Sequence, residues 1–152
     1  METLTASKKM VSPSVEDYLK AIWTLSERSA AHQTAGTKDL AKMLLVTPPA
    51  VSKMLKQIER QVLIIHVPYY GVRLTSSGRK IALRIVRRHR LLELFLAEIL
   101  GYDPESVHGE AERLEHHISD EFEQRIDSLL GFPKKCPHGS PIPNQEGNFQ
   151  EN

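Results

Sequence analysis

With one cysteine, Cys136, in 152 residues, the chain cannot hold an internal disulfide framework, and a reducing, cytoplasmic setting is expected. No apolar run approaches the ~18 residues of a membrane span, so no membrane partner is expected. The opening METLTASKKM has lysines but no apolar core of a secretory signal, and no signal peptide is expected. Internal repeats are absent too. What remains is a chain with 40% apolar residues, long enough to bury a core as one domain or two small layers.

The net charge of +1 conceals a strong asymmetry. Residues 1–90 carry 16 Lys/Arg against 6 Asp/Glu, while residues 91–152 carry 4 against 13. A basic half suits a polyanion and an acidic half suits something cationic; the plainer alternative is an electrostatically paired dimer.

Residues 1–12 read as a flexible arm. In SPSVEDYLKAIWTLSER, Val15, Leu19, Ile22 and Leu25 or Trp23 recur at helical spacing, with Ser14 as N-cap and Asp17 three residues on. After the loop SAAHQTAG, TKDLAKMLLV reads as a short helix capped by Thr37, with Leu40, Ala41, Leu44 and Leu45 facing inward. In the next, VTPPAVSKMLKQIERQ, Thr47 is the cap, Pro48 the first helical residue, and Val51, Met54, Leu55 and Ile58 the buried stripe. VLIIHV and GVRLT flank PYYG as a hairpin. A long helix follows from Ser76 or Ser77 to about Leu100. A further helix in ESVHGEAERLEHHIS carries a possible interruption at Gly109, and a last one, SDEFEQRIDSLLG, is capped by Ser119 and closed by Gly131. The Pro/Gly/Asn-rich tail reads as loop or disorder.

The predicted fold is mainly α with a small β-hairpin: a winged helix-turn-helix over 1–75, a helical metal-binding and dimerisation unit over 76–131, and a flexible tail over 132–152. Three helices, a tight LLVTPP connection and a hairpin make the third helix the reader of a major groove. Its outward residues Thr47, Pro49, Ala50, Ser52, Lys53, Lys56 and Gln57 are small, polar or cationic. Small side chains let the backbone approach base edges, Pro49 and Ala50 suit thymine methyls, and Lys53 and Lys56 suit guanine or phosphate. Thr37 and Lys38 are placed for backbone phosphates, and Tyr69, Tyr70 and Arg73 form the wing. The plainer reading is a small α+β domain with solvated lysines.

ERLEHH crowds two carboxylates and two imidazoles into six residues. On a helix Glu112, Glu115 and His116 share one face while His117 turns away, so the group either decorates a wet surface or holds a metal. His89 and Glu93 form a second i, i+4 pair, His108 lies just upstream of the cluster, and Asp17 stands in the first helix. Any one of these alone reads as a surface or capping residue. Four of the seven histidines fall between positions 89 and 117 among carboxylates, which favours a metal. Cys136 and His138 in CPHG are weaker candidates in a tail segment.

SPSVEDYLKAIW, TKDLAKMLLVTPPAVSKMLKQIER, YYGVRLTSSGRKIA, RRHRLLELFL and the E-x-x-E-H of ERLEHH followed by ISDEFE occur in this order over residues 12 to about 130. In this the chain resembles the diphtheria toxin repressor/manganese transport regulator family of metal-dependent transcriptional repressors. The resemblance implies a homodimer that binds a divalent metal, then an operator, palindromic in form, and represses metal-uptake genes. It implies a primary metal site of Asp17, Glu112, Glu115 and His116, and an ancillary site of His89, Glu93 and His108. Lys20 departs from the manganese branch, which carries a glutamate there to complete a second close ion. The SH3-like domain of longer members is not expected. Asp17 and Glu112 stand where the iron branch has methionine and cysteine; three carboxylates and an imidazole make a hard site, with Mn²⁺ first, Fe²⁺ second and Zn²⁺ third.

Two rival readings remain at this point. One is a winged-helix regulator sensing a small organic ligand. The other is a metallohydrolase, since Glu112-x-x-Glu115-His116 differs at one ligand position from the H-x-x-E-H of some zinc peptidases. The chain has no HExxH, so an enzyme is not expected.

Overall fold

The computed structural model describes residues 10–29 and 31–150; most of the arm expected at 1–12 lies outside them. Helix α1 (Pro13–Arg28) starts on Ser12, whose hydroxyl accepts from the Val15 amide. The cap is thus Ser12 rather than Ser14, because Pro13, with no amide to satisfy, already serves as the first helical residue. Helix α2 (Thr37–Leu44) is entered through Gly36, so Thr37 sits inside the helix rather than capping it. It ends on Leu45 in the left-handed region, at φ 56°, which swings this side chain out to 91% exposure instead of inward. Helix α3 (Pro48–Arg60) begins as the sequence predicts, with the Thr47 hydroxyl accepting from the Ala50 amide at 3.3 Å and Pro48 following. Val51, Leu55 and Ile58 are buried along it, and Met54 is partly so.

Strands β1 (Ile64–Val67) and β2 (Gly71–Leu74) pair antiparallel, Ile64 opposite Leu74 and Val67 opposite Gly71. Ala35 exchanges two backbone hydrogen bonds with Val72, which fastens the loop before α2 to this hairpin. Thr75 then caps helix α4 (Ser76–Glu98), its hydroxyl accepting from the Gly78 amide at 3.1 Å and donating to the Val62 carbonyl at 2.8 Å.

Helix α4 belongs to two apolar clusters. Its first half packs Ile81, Ala82, Leu83 and Val86 against Leu19, Ile22, Leu40, Leu55 and Ile58. Its second half packs Leu91, Leu92 and Leu96 against Val107 and Ala111 of α5 (Val107–Leu114), Ile126 of α6 (Asp120–Leu129) and Ile142 of the tail. Helix α5 runs through Gly109 without interruption and stops at Leu114, leaving Glu115 as its C-cap and His116 and His117 in a turn. Ser119 caps α6 through the Phe122 amide, as expected. No helix among the described residues is long and apolar enough to cross a membrane.

Among its described residues the tail has no regular helix or strand, yet these are packed rather than loose. Ile142 and Cys136 are buried, Phe149 stacks on Trp23 with ring centroids 6.0 Å apart, and Arg87 donates to the Pro143 carbonyl at 3.0 Å. Prolines there remove amides that a sheet would need, and the backbone pairing is limited to an isolated bridge of Lys135 with Pro141 and a few turn bonds such as Ile142 N–H to the Lys134 carbonyl at 2.8 Å.

Gly78 tests how closely the hairpin meets α4. A Cβ there would stand 2.0 Å from the Leu63 carbonyl oxygen, backbone that cannot move aside cheaply. Gly78→Ala should therefore cost at least ~2 kcal/mol of stability in urea unfolding. An unchanged midpoint would refute this close approach.

Candidate metal centre

Three elements converge on one cleft: α1, the middle of α4, and α5 with the turn that follows it. Helix α1 contributes Glu16, Asp17 and Lys20; α4 contributes Arg84, His89 and Glu93; the α5 region contributes His108, Glu112, Glu115 and His116. Glu115 is the C-cap of α5, its amide still bonded to the Ala111 carbonyl, and its side chain is fully enclosed.

Asp17, Glu115 and His116 offer one ligand atom each within 4.8 Å of one another, and so do His89, Glu93 and His108. An ion with bonds of ~2.1 Å holds opposite donors ~4 Å apart, so either set fits a divalent cation with small adjustments. In the first set, His116 Nε2 lies 2.8 Å from Asp17 Oδ1 and 3.6 Å from Glu115 Oε1. In the second, His89 Nε2 lies 2.7 Å from Glu93 Oε1 and 3.1 Å from His108 Nδ1. The sets touch through Glu115, whose Oε2 is 2.5 Å from His89 Nδ1.

Of the four residues expected at the primary site, the structure gathers three. Glu112 is one turn up the helix and half-exposed, with Oε1 3.1 Å from His108 Nε2 and 3.9 Å from Lys20 Nζ. Glu112 lines the same cleft and meets the same lysine as Glu115, but its carboxylate is turned to His108 and stays outside the donor set of Asp17, Glu115 and His116. Lys20 donates to Glu115 Oε1 at 2.5 Å and so supplies a fixed positive charge between the two sets.

Two residues were underrated by the sequence reading. His138, in the tail, brings Nδ1 to 3.0 Å from Glu93 Oε2, beside the buried Cys136; the signal was the CPHG segment. Glu16 went unremarked, although it lies on the stripe of Leu19 and Trp23 where an apolar residue is expected. It is buried, with Oε1 3.2 Å from His116 Nδ1 and Oε2 3.4 Å from Arg84 Nη2.

The charges are balanced by protons in this arrangement. Burial works against the His116 imidazolium, but its hydrogen bonds to Asp17 and Glu16 outweigh that and push its pKa from 6.5 to about 9. His89 is also raised: burial opposes its charge, and contacts with Glu115 and Glu93 win. Burial pushes the Glu93 carboxyl up, and the hydrogen bond from His89 together with the nearby charges of His89, His138 and His108 more than reverses it, leaving the pKa lowered.

The residues expected to read DNA lie on the first half, mostly exposed, and none of them belongs to either donor set. Thr47, Pro49, Ala50, Ser52, Lys53, Lys56 and Gln57 are exposed on or beside α3, across from its buried stripe, and Lys38 is exposed on α2, where Thr37 is half-buried. In the wing Tyr69 is fully exposed, while Tyr70 stacks on His32 at 3.8 Å and Arg73 donates to the His32 carbonyl.

This combination defines a winged-helix protein whose first helix carries donors toward a ligand-rich helical unit. Residues 10–72 match the iron dependent repressor, N-terminal DNA binding domain, and residues 75–144 match the iron dependent repressor, metal binding and dimerisation domain. The chain belongs to this family of iron-dependent repressors. It is 39% identical over 123 residues to the HTH-type transcriptional regulator MntR of Bacillus subtilis (strain 168), covering 81% of this chain and 84% of that protein. The structure of the manganese regulator SloR superposes with a TM-score of 0.80 at 40% identity, over 93% of this chain and 64% of that one. A manganese-dependent transcriptional repressor in complex with manganese gives 0.79 at 44% identity, over 91% and 62%. The chain thus spans 62–64% of the length of these solved chains. The family and these relatives are transcriptional regulators, which disposes of the hydrolase reading: the protein is not an enzyme.

The raised imidazole dictates a pH dependence. Its contribution to the metal-free fold is complete below pH 6.5 and is lost as pH rises through about 9, where His116 gives up its proton to solvent. Thermal unfolding of metal-free protein should show stability falling across that window, and Asp17→Asn should flatten the fall. A metal competes with the same proton, so apparent Mn²⁺ affinity should rise with pH until His116 is neutral. Metal-free stability that is level across the window, in wild type as in Asp17→Asn, would refute the ion pair.

Proposed function

We propose that this chain is a divalent-metal-activated transcriptional repressor, with manganese as first ion, iron second and zinc third, acting in the cytoplasm on metal-uptake genes. The observation that carries the reading is Asp17, which extends from the DNA-reading half to within 2.8 Å of His116 in the helical half. Asp17, Glu115 and His116 form a hard donor set, suited to Mn²⁺ or Fe²⁺. A bound ion supplies positive charge and directional bonds to these donors.

The protein's own part is positional. Asp17 lies on α1, which packs on α2 and so holds α3 in place. Neutralising the clustered carboxylates draws α1 toward the end of α5 and fixes the angle at which α3 is presented. Lys20 fills the space between Glu115 and Glu112, so this set takes a single ion. His89, Glu93 and His108, joined by His138 from the tail, form the ancillary site. Ile99, Leu100, Tyr102, Phe122, Leu129 and Phe132 leave apolar surface exposed on the helical half. That surface suits a two-fold homodimer carrying two reading helices to a palindromic double-stranded operator.

An operator-shift assay with each divalent ion, with and without chelator, tests the reading: binding should require metal and be strongest with Mn²⁺. Metal-independent binding would favour a winged-helix regulator of another ligand. Asp17→Asn should abolish the metal dependence while the fold and non-specific DNA binding persist; wild-type behaviour would reduce Asp17 to a surface residue.

Two lysines separate reading from anchoring. Lys53→Ala should relax base preference at one operator position by ~1–3 kcal/mol, whereas Lys38→Ala should weaken all sequences alike and flatten the salt dependence. Equal effects of the two on every sequence would move the reading face elsewhere.

A further inference from the structure

Helix α1 approaches the His116 ring from both sides. Asp17 Oδ1 faces Nε2 at 2.8 Å, and its neighbour Glu16 faces Nδ1 through Oε1 at 3.2 Å. Only one ring nitrogen can bind a cation, and Nε2 is the one that also looks toward Glu115 Oε1, at 3.6 Å. Nδ1 points the other way, into a buried corner closed by Glu16 and Arg84.

A carboxylate enclosed there needs a reason. Arg84, from α4, meets Glu16 Oε2 at 3.4 Å and supplies a compensating charge, yet a plain ion pair would not require Oε1 to be aimed at an imidazole. An imidazole whose outer nitrogen donates to a carboxylate has its tautomer and ring plane fixed, and its inner nitrogen becomes a stronger base.

We infer that Glu16 is the positioning residue of the metal centre: it accepts from His116 Nδ1–H and so presents Nε2 to the ion. The inference rests on the metal reading above and adds to it a residue outside both donor sets. It also gives α1 a division of labour between adjacent residues. Asp17 exchanges its imidazole contact for the ion when metal enters, while Glu16 keeps the same contact in both states. The ring therefore stays registered to α1 throughout.

Two variants and one spectrum test this. Glu16→Leu keeps the volume but removes the acceptor, and Mn²⁺ binding in a competition titration should weaken ~10–100-fold. Glu16→Gln retains an amide oxygen able to accept from Nδ1–H, so it should stay within a few-fold of wild type. Both variants lose the charge opposite Arg84. A role confined to that ion pair would lower metal-free melting equally in both and leave Mn²⁺ affinity alone, which would overturn the inference. Were Glu16 itself a ligand, Gln would lose as much affinity as Leu, which would overturn it too.

The wild-type protein gives a reading independent of either variant's folding. Imidazole-nitrogen NMR of the cadmium-loaded chain should show His116 coupled to the metal through Nε2, with the proton on Nδ1. Coupling through Nδ1 would refute the assignment. If wild type binds neither Mn²⁺ nor Cd²⁺, the metal reading itself fails; if it binds both and the Leu variant matches it, the role of Glu16 alone fails.

Discussion

Glu115 is a carboxylate that water cannot reach, and much of the centre is arranged around that fact. A buried charge without partners would neutralise itself or break the fold. Here Lys20 from α1, His89 from α4 and His116 from the next turn surround it, so all three packed elements answer one group. From the turn that follows α5, His116 meets Asp17 and Glu16 of α1.

The charge partition acquires a structural meaning from this. Glu16 and Asp17 of α1, acids in the basic half, reach His116 of the acidic half. Arg87 and Arg88, near the end of the basic half, pair with Glu123, Asp127 and Asp120 and stitch α4 to α6. Attraction between the halves thus runs along two seams, one at the ligand cluster and one between α4 and α6.

Local signals made several elements legible in the sequence: Thr47 with Pro48 and the PYYG turn between β-rich runs in the winged helix, and Ser119 before the acidic turn of α6, all act within a few residues. What was not legible depends on distant partners. Ser12 displaced Ser14 because a proline chose the helix start. Leu45 turned outward because a left-handed cap is set by the approach of α3. Glu112 was grouped with Glu115 and His116 by helical spacing, which places it on their cleft but does not register that its carboxylate is held by His108. His138 and Glu16 were visible as residue types, but their meaning lies in contacts across 45 and 100 positions of chain, which periodicity does not register. Lys20 stood out through the family resemblance, as a lysine where the manganese branch carries a glutamate, but its contact with Glu115 was visible only in the fold.

Helix α4 lends side chains to both apolar clusters over its 23 residues. Neither cluster can come apart without stripping one face of the same rod, and a frayed rod would expose the other. The two halves that charge divides near residue 90 are therefore expected to melt together, as one cooperative unit with a single transition. Thermodynamically the chain is one body, and its apparent modularity is a matter of charge.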